Sequence, residues 1–210
     1  PAVTPTSTLT PTPSPVLRLP SGGYPDNPGL TVESRFKALQ RESKYIVGWL
    51  TINKMLDEPV MQRNNVYYLD HDSLGRENVN GALFLDSAIK LKNRPFTYII
   101  YGHNMKSGAM FGSLTRYRDP SYYRQHPYLF LATPAGQYRV ELFAGCTIDA
   151  TDDIYQPSPT SEQLDKMTRK SSFVPMEGTA TEGPVLTLST CAYDFDNARY
   201  VVLGRLVPIL

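Results

Sequence analysis

A succession of short runs rich in apolar, β-branched and aromatic residues constrains this 210-residue chain more than any other feature. They fall at residues 59–62, 81–85, 96–101, 128–131, 137–148, 185–190 and 199–206. Residues 46–52, Ile-Val-Gly-Trp-Leu-Thr-Ile, read either as one more strand or as a packed transition from helix to strand. Runs of this length and composition, bounded by polar turns, form β-strands. Seven or eight strands with scattered helices imply a mixed or closed β-sheet, and closure into a barrel removes exposed edges. A helix is expected from Leu30, where Val32, Phe36 and Leu39 recur at helical spacing. Residues 65–69 suit a short helix. Residues 161–170 suit a longer one, with Leu164 and Met167 on one side. The single tryptophan, Trp49, is expected in the core.

Composition narrows the partners. A hydrophobic share of 41% over this length supports one domain with a sizeable core. The net charge is +1 and no block of Lys or Arg stands out, so neither nucleic acid nor an anionic membrane surface is favoured. Fourteen tyrosines and eighteen prolines fit a β-rich chain with many turns. No run is long or apolar enough to span a bilayer, and no signal peptide is visible. The chain begins at Pro1 rather than Met, consistent with a removed upstream segment. Residues 1–28 hold eight of the eighteen prolines, many Ser and Thr, and no charge before Arg18. Such a segment reads either as an extended tether between a membrane anchor and a surface domain or as a tail of no special role. Residues 29–210 are then the folded domain.

There are two cysteines, too few for a disulfide scaffold. Cys146 lies in an alternating run whose phase groups it with Tyr138, Val140, Leu142 and Ala144, and it reads as a small core residue. Cys191 differs. It ends the run Val185-Leu186-Thr187-Leu188-Ser189-Thr190-Cys191, so a strand delivers it at its tip. A second strand begins at Arg199 after a short polar turn, which can bring the guanidinium beside the thiol. Arg199 shares strand phase with apolar Val201 and Leu203, which favours a specific role for it. A thiol beside a fixed cation points to nucleophilic catalysis, because the thiolate is the reactive form.

A catalytic cysteine needs an acid–base partner, and there are three histidines. His71 lies in a polar turn and reads as solvated. His126 precedes Pro127, which biases it to an extended surface connection. His103 follows the strongest strand and Gly102, a residue that permits a sharp turn or close approach of another segment. It is the histidine best placed at a strand end. Asp149, Asp152 and Asp153 can bind a cation weakly or form a solvated loop. No metal-ligand spacing and no phosphate-cradling glycine loop appears. Asp194 and Asp196 tune local charge or keep the turn soluble.

These residues resemble a known family. Thr187-Leu188-Ser189-Thr190-Cys191 resembles the Leu-x-Thr-Cys signature of sortases, and Arg199 stands at a matching distance. Tyr101-Gly102-His103-Asn104-Met105 resembles the histidine segment of class B sortases, as do 46–50 and 67–72 their upstream landmarks. The resemblance spans about Leu30 to Leu206. It implies an eight-stranded sortase-type β-barrel, mainly β, with N-terminal helices and a helix in the connection before the cysteine strand. It implies a cell-surface cysteine transpeptidase of Gram-positive bacteria that cleaves a signal similar to Asn-Pro-x-Thr-(Gly/Asn) after threonine. Cys191 would be the nucleophile, His103 the general acid and then base, and Arg199 the substrate clamp and oxyanion donor. The Ala192 N–H would be a second oxyanion donor. Asn65, Leu69, Tyr101, Thr151, Tyr155 and Ser189 would contact the sorting signal. The acceptor would be an amine of peptidoglycan or of another protein, with no metal or cofactor. An N-terminal membrane anchor outside this chain would hold the enzyme at the extracellular face. Pilin polymerisation and a non-catalytic binding module on the same fold are the alternatives.

Overall fold

The computed structural model describes residues 32–52, 55–93 and 95–209. The proposed tether, residues 1–28, lies outside the described residues. So do the start of the first helix at Leu30 and the side chains of Val32 and Phe36.

Eight strands close into one barrel: β1 (Ile46–Ile52), β2 (Leu56–Met61), β3 (Leu83–Leu85), β4 (Thr97–Tyr101), β5 (Tyr128–Thr133), β6 (Gly136–Asp149), β7 (Val185–Cys191) and β8 (Ala198–Ile209). Their order around the wall is β1-β2-β3-β4-β7-β8-β6-β5, and β5 pairs back onto β1. Residues 46–52 are thus a strand. Trp49 is buried, with its indole N–H donating to Asp57 at 2.6 Å.

Alternation along each strand sends one set of side chains inward and the other outward. Leu50, Leu83, Ile100, Leu131, Leu188 and Val202 belong to the set that fills the barrel. Two smaller clusters cover the outside. One joins Trp49, Met61 and Phe84 to Leu39 of the N-terminal helix α1 (Val32–Glu42). The other lies under the helix of the β6–β7 connection.

Most neighbours are antiparallel, but β4 and β7 are parallel, with Tyr98 opposite Leu186 and Tyr101 opposite Ser189. A parallel pair brings two C-terminal strand ends to the same rim. The residues after β4 and the end of β7 therefore meet, although 88 positions separate Thr190 from Gly102, whose carbonyl accepts from the Thr190 hydroxyl.

Two further helices occur. The short helix α2 (Pro120–Gln125) was not expected from apolar periodicity. Its signal is Asp119-Pro120: the Asp119 carboxylate accepts from the Ser121 N–H, and proline occupies the first helical turn. The helix α3 (Ser161–Lys170) opens on a capping box in which Thr160 and Gln163 bond each other's backbone N–H groups. Its buried Leu164 and Met167 pack on Phe143, Cys146 and Val201 of the barrel wall. Among the described residues one helix precedes β1, where several were expected. The short helix expected at 65–69 is a single 3-10 turn, Tyr67–Leu69.

One register break changes the reading of Cys146. A bulge between Leu142 and Ala144 in β6 reverses the phase of the strand. Val140 and Leu142 fill the barrel, whereas Ala144 and Cys146 face outward under α3. Cys146 is buried, as expected, but not on the face its phase with Tyr138 implied.

Candidate active site

The site lies on the outward face of the β3-β4-β7-β8 wall, and strand register builds it. Phe84 stands opposite Tyr101, Tyr101 opposite Ser189, and one outward step further along β7 Cys191 stands opposite Arg199. Those side chains share one face because the pleat repeats every second residue. His103, Asn65, Leu69 and Tyr155 close the rest of a cavity of about 340 Å³. Cys191 is half-buried and unpaired; it is the sulfur that reaches this cavity. Cys146 is sealed beneath α3, its sulfur 3.8 Å from that of Met167, and burial pushes its thiol up to about 11.

The backbone at the nucleophile is pinned on both sides. The Thr190 hydroxyl donates to the Gly102 carbonyl at 2.8 Å. The Asn104 amide donates to the Cys191 carbonyl at 2.8 Å. The turn from β7 to β8 carries Asn197 at φ 60°, a left-handed conformation that asparagine tolerates better than most residues. Arg199 folds its Nη1 toward the carbonyls of Ala198 (2.9 Å) and Asn197 (3.4 Å), which fixes the approach of the guanidinium to the cavity.

His103 is oriented by main chain rather than by a carboxylate. Its Nε2 lies 2.6 Å from the Leu69 carbonyl oxygen. A carbonyl only accepts, so Nε2 is the donor in this bond. The carbonyl belongs to the 3-10 turn at 67–69, which the Asn64 side chain starts by accepting from the N–H groups of Val66 and Tyr67.

Gly102 is required by packing, and its φ is not positive. A Cβ there would sit 2.5 Å from Leu83 Cδ2 and 2.8 Å from Phe111 Cδ2, both on buried side chains. Gly102→Ala is expected to destabilise the fold by about 1–3 kcal/mol, the cost of overpacking a tight core. A lowered denaturation midpoint, with slower alkylation of Cys191 as the rim shifts, checks this.

Tyr155 and Ser189 form one unit, their hydroxyls 2.7 Å apart. Burial pushes the Tyr155 phenol up to about 12, so it stays neutral and can donate. Tyr155 also lies beside Tyr101, with ring centroids 6.1 Å apart.

Two expected contacts fall elsewhere. Thr151 is exposed, and its hydroxyl and N–H both bond the Asp149 carboxylate; Ala150 and Tyr155 line the cavity instead. The tight Asx turn at Asp149 rotates Thr151 away. Ala192 is buried, and its N–H already donates to the Ala198 carbonyl at 3.0 Å, so this donor is engaged inside the β7–β8 turn. It borders a separate depression with Asn104, Arg118 and Asp194.

The other histidines are not free surface groups. His71 is partly buried and stacks on Tyr67 at 4.1 Å, with Nδ1 bonded to the Tyr67 carbonyl and the Asp70 carboxylate. His126 ends α2, packs on Tyr122, and is held below its ordinary pKa by burial and by Arg116. Asp152 and Asp153 both bond Lys166 at 3.0 Å, and Asp194 pairs with Arg118. No group of His, Cys, Asp or Glu among the described residues could hold a metal ion.

Comparison with known proteins agrees with the eight-stranded barrel. The sortase domain pattern matches residues 50–207. Sortase B of Listeria monocytogenes is 33% identical over 187 residues, covering 84% of this chain and 75% of that protein. Sortase B of Staphylococcus aureus is 28% identical over 187 residues, covering 85% and 77%. The solved S. aureus sortase B–substrate complex superposes with a TM-score of 0.77 at 26% identity, covering 84% of this chain and 86% of that one. The chain belongs to the sortase family. Within that family it is of class B, a cysteine transpeptidase on the eight-stranded sortase barrel.

Proposed function

We propose that this transpeptidase cuts a sorting signal resembling Asn-Pro-x-Thr-(Gly/Asn) after the threonine, holds the product as a thioester on Cys191, and passes it to an amine. The observation that carries the reading is the direct cross-strand pairing of Cys191 with Arg199 at the mouth of a cavity that His103 also lines. The solved S. aureus complex of a sortase B with a substrate supports a peptide partner here.

The Cys191 thiol passes its proton to His103 as the sulfur attacks the threonine carbonyl carbon, and the carbonyl π pair moves to oxygen. Arg199 meets that oxyanion with N–H donors pre-set by the Ala198 carbonyl. The C–N bond then breaks as His103 gives a proton to the departing amine, leaving a thioester. In the second half an incoming amine attacks the thioester carbonyl, His103 takes its proton, and the C–S bond breaks. Leu69 and the Tyr101 ring supply apolar wall, while Asn65, the Tyr101 hydroxyl, Tyr155 and Ser189 supply polar contacts to the peptide. Engagement of the Ala192 N–H leaves Arg199 as the principal oxyanion donor.

The acceptor is an amine of peptidoglycan or of a protein. The enzyme acts at the cell surface, with residues 1–28 as a tether to an anchor. No helix among the described residues is long and apolar enough to cross a membrane.

Mass spectrometry of the chain with an Asn-Pro-x-Thr-(Gly/Asn) peptide library, with and without amines, tests this. The expected result is a peptide adduct on Cys191 that converts to amine-linked product. A folded protein with an alkylatable thiol and no adduct from any peptide would overturn the reading.

A further inference from the structure

We propose that Asp86, outside the catalytic set, is a positioning residue that locks the Asn65 amide and the Tyr101 hydroxyl for the peptide. The inference rests on the reading that Asn65 and Tyr101 line the sorting-signal groove.

Asp86 follows β3 and is half-buried behind the cavity wall. Its Oδ2 accepts two hydrogen bonds, from Asn65 Nδ2 at 3.0 Å and from the Tyr101 hydroxyl at 2.9 Å. Its Oδ1 accepts the Ala88 N–H at 2.8 Å. The carboxylate therefore cannot turn without losing a donor. The backbone beneath it is fixed too: the Gln62 amide donates to the carbonyls of Asp86 (2.9 Å) and Ile89 (2.7 Å), bracing the loop from β2.

Asn65 receives a second anchor. Its Oδ1 accepts the Ser87 N–H at 2.8 Å. With oxygen tied to a donor and nitrogen tied to an acceptor, the amide has one orientation, and a flip would break both bonds. One Nδ2 hydrogen and one oxygen lone pair remain for a ligand. Asn65 is exposed. An exposed side chain of this kind ordinarily loses rotamer freedom on binding, and pre-ordering removes that cost. Tyr101 is held in the same way. Its phenol is pushed up by burial and by the neighbouring Asp86 charge, so it remains the donor.

The carboxylate makes no contact that chemistry at Cys191 requires. Its removal should therefore weaken peptide binding and spare turnover. Asp86→Ala removes all three acceptors. Asp86→Asn keeps the shape but presents a donor to one of the three N–H or O–H groups. Both variants, in the full chain, are measured for KM and kcat with the sorting peptide, for the alkylation rate of Cys191, and for the Asn65 side-chain amide signals by NMR. The expected result for Asp86→Ala is a KM raised about tenfold, as for a lost hydrogen bond to a charged group, with kcat within about twofold. Alkylation is unchanged, and the two Asn65 amide protons move toward free-solvent positions and exchange faster. Asp86→Asn falls between. An unchanged KM with active wild type, or unmoved Asn65 amide signals in Asp86→Ala, overturns the inference. Should wild type process no peptide, the reading of the groove fails by itself, and the amide signals still decide whether Asp86 locks Asn65.

Discussion

Cys191→Ala is expected to lower transpeptidation by about 10⁴-fold or more while leaving the fold intact, because it removes the sulfur proposed to carry the acyl group. The side chain is half-buried at the rim, and alanine creates no cavity in the barrel. The denaturation midpoint should therefore match wild type. The matched control is Cys146→Ala, which should retain activity. Its thiol is sealed against Met167 beneath α3, away from the cavity, and is held protonated by burial. Rates of product formation and thiol titration of both variants check the pair. One fast-reacting thiol should vanish in Cys191→Ala and persist in Cys146→Ala. Retained turnover in Cys191→Ala would remove the thioester route altogether.

Arg199 carries the second largest expected effect. Arg199→Ala should reduce kcat by roughly 10²–10³-fold, the range for loss of one pre-organised oxyanion donor, with a smaller change in KM. The Ala192 N–H is occupied by the Ala198 carbonyl, so no backbone donor next to the nucleophile takes over in this conformation. Arg199→Lys separates charge from geometry. The guanidinium bonds the Ala198 carbonyl through Nη1 while its planar fork keeps further donors for the cavity. A lysine ammonium is a point charge that cannot hold the same fork. Arg199→Lys should therefore recover only a small part of the loss. Full rescue by lysine, measured by steady-state kinetics, would mean that charge alone suffices. Loss confined to KM would make Arg199 a binding group only.

Much of the barrel was legible in the sequence because its signals are local. Each of the eight strands has its own apolar run, and α3 has a capping threonine and an apolar side that survive reading in isolation. The nucleophile was legible for the same reason, since a strand ending in a thiol followed by a turn and an arginine is a pattern within nine residues. α2 escaped because its six residues hold too little periodicity, and only its Asp-Pro start announces it. The face of Cys146 escaped because one extra residue in β6 inverts the phase, and no residue type there marks a bulge. Thr151 and Ala192 were placed by motif position, which carries no information on which way a tight turn points a side chain or whether an N–H is already bonded.

The sequence by itself determined which segments become strands, which cysteine a strand end presents, and that His103 ends the strongest strand. Those follow from propensity and pattern over a few residues. Only the tertiary structure decided that β4 and β7 lie parallel, bringing Gly102 and Thr190 into one hydrogen bond, and that Cys191 and Arg199 share an outward face at the cavity. The same holds for the Leu69 carbonyl that orients His103 and for Asp86, which gathers Asn65 and Tyr101. Those hydrogen bonds join residues 15 to 88 positions apart. Their existence depends on which strands become neighbours and in what register, a choice made by burial of the whole apolar set at once.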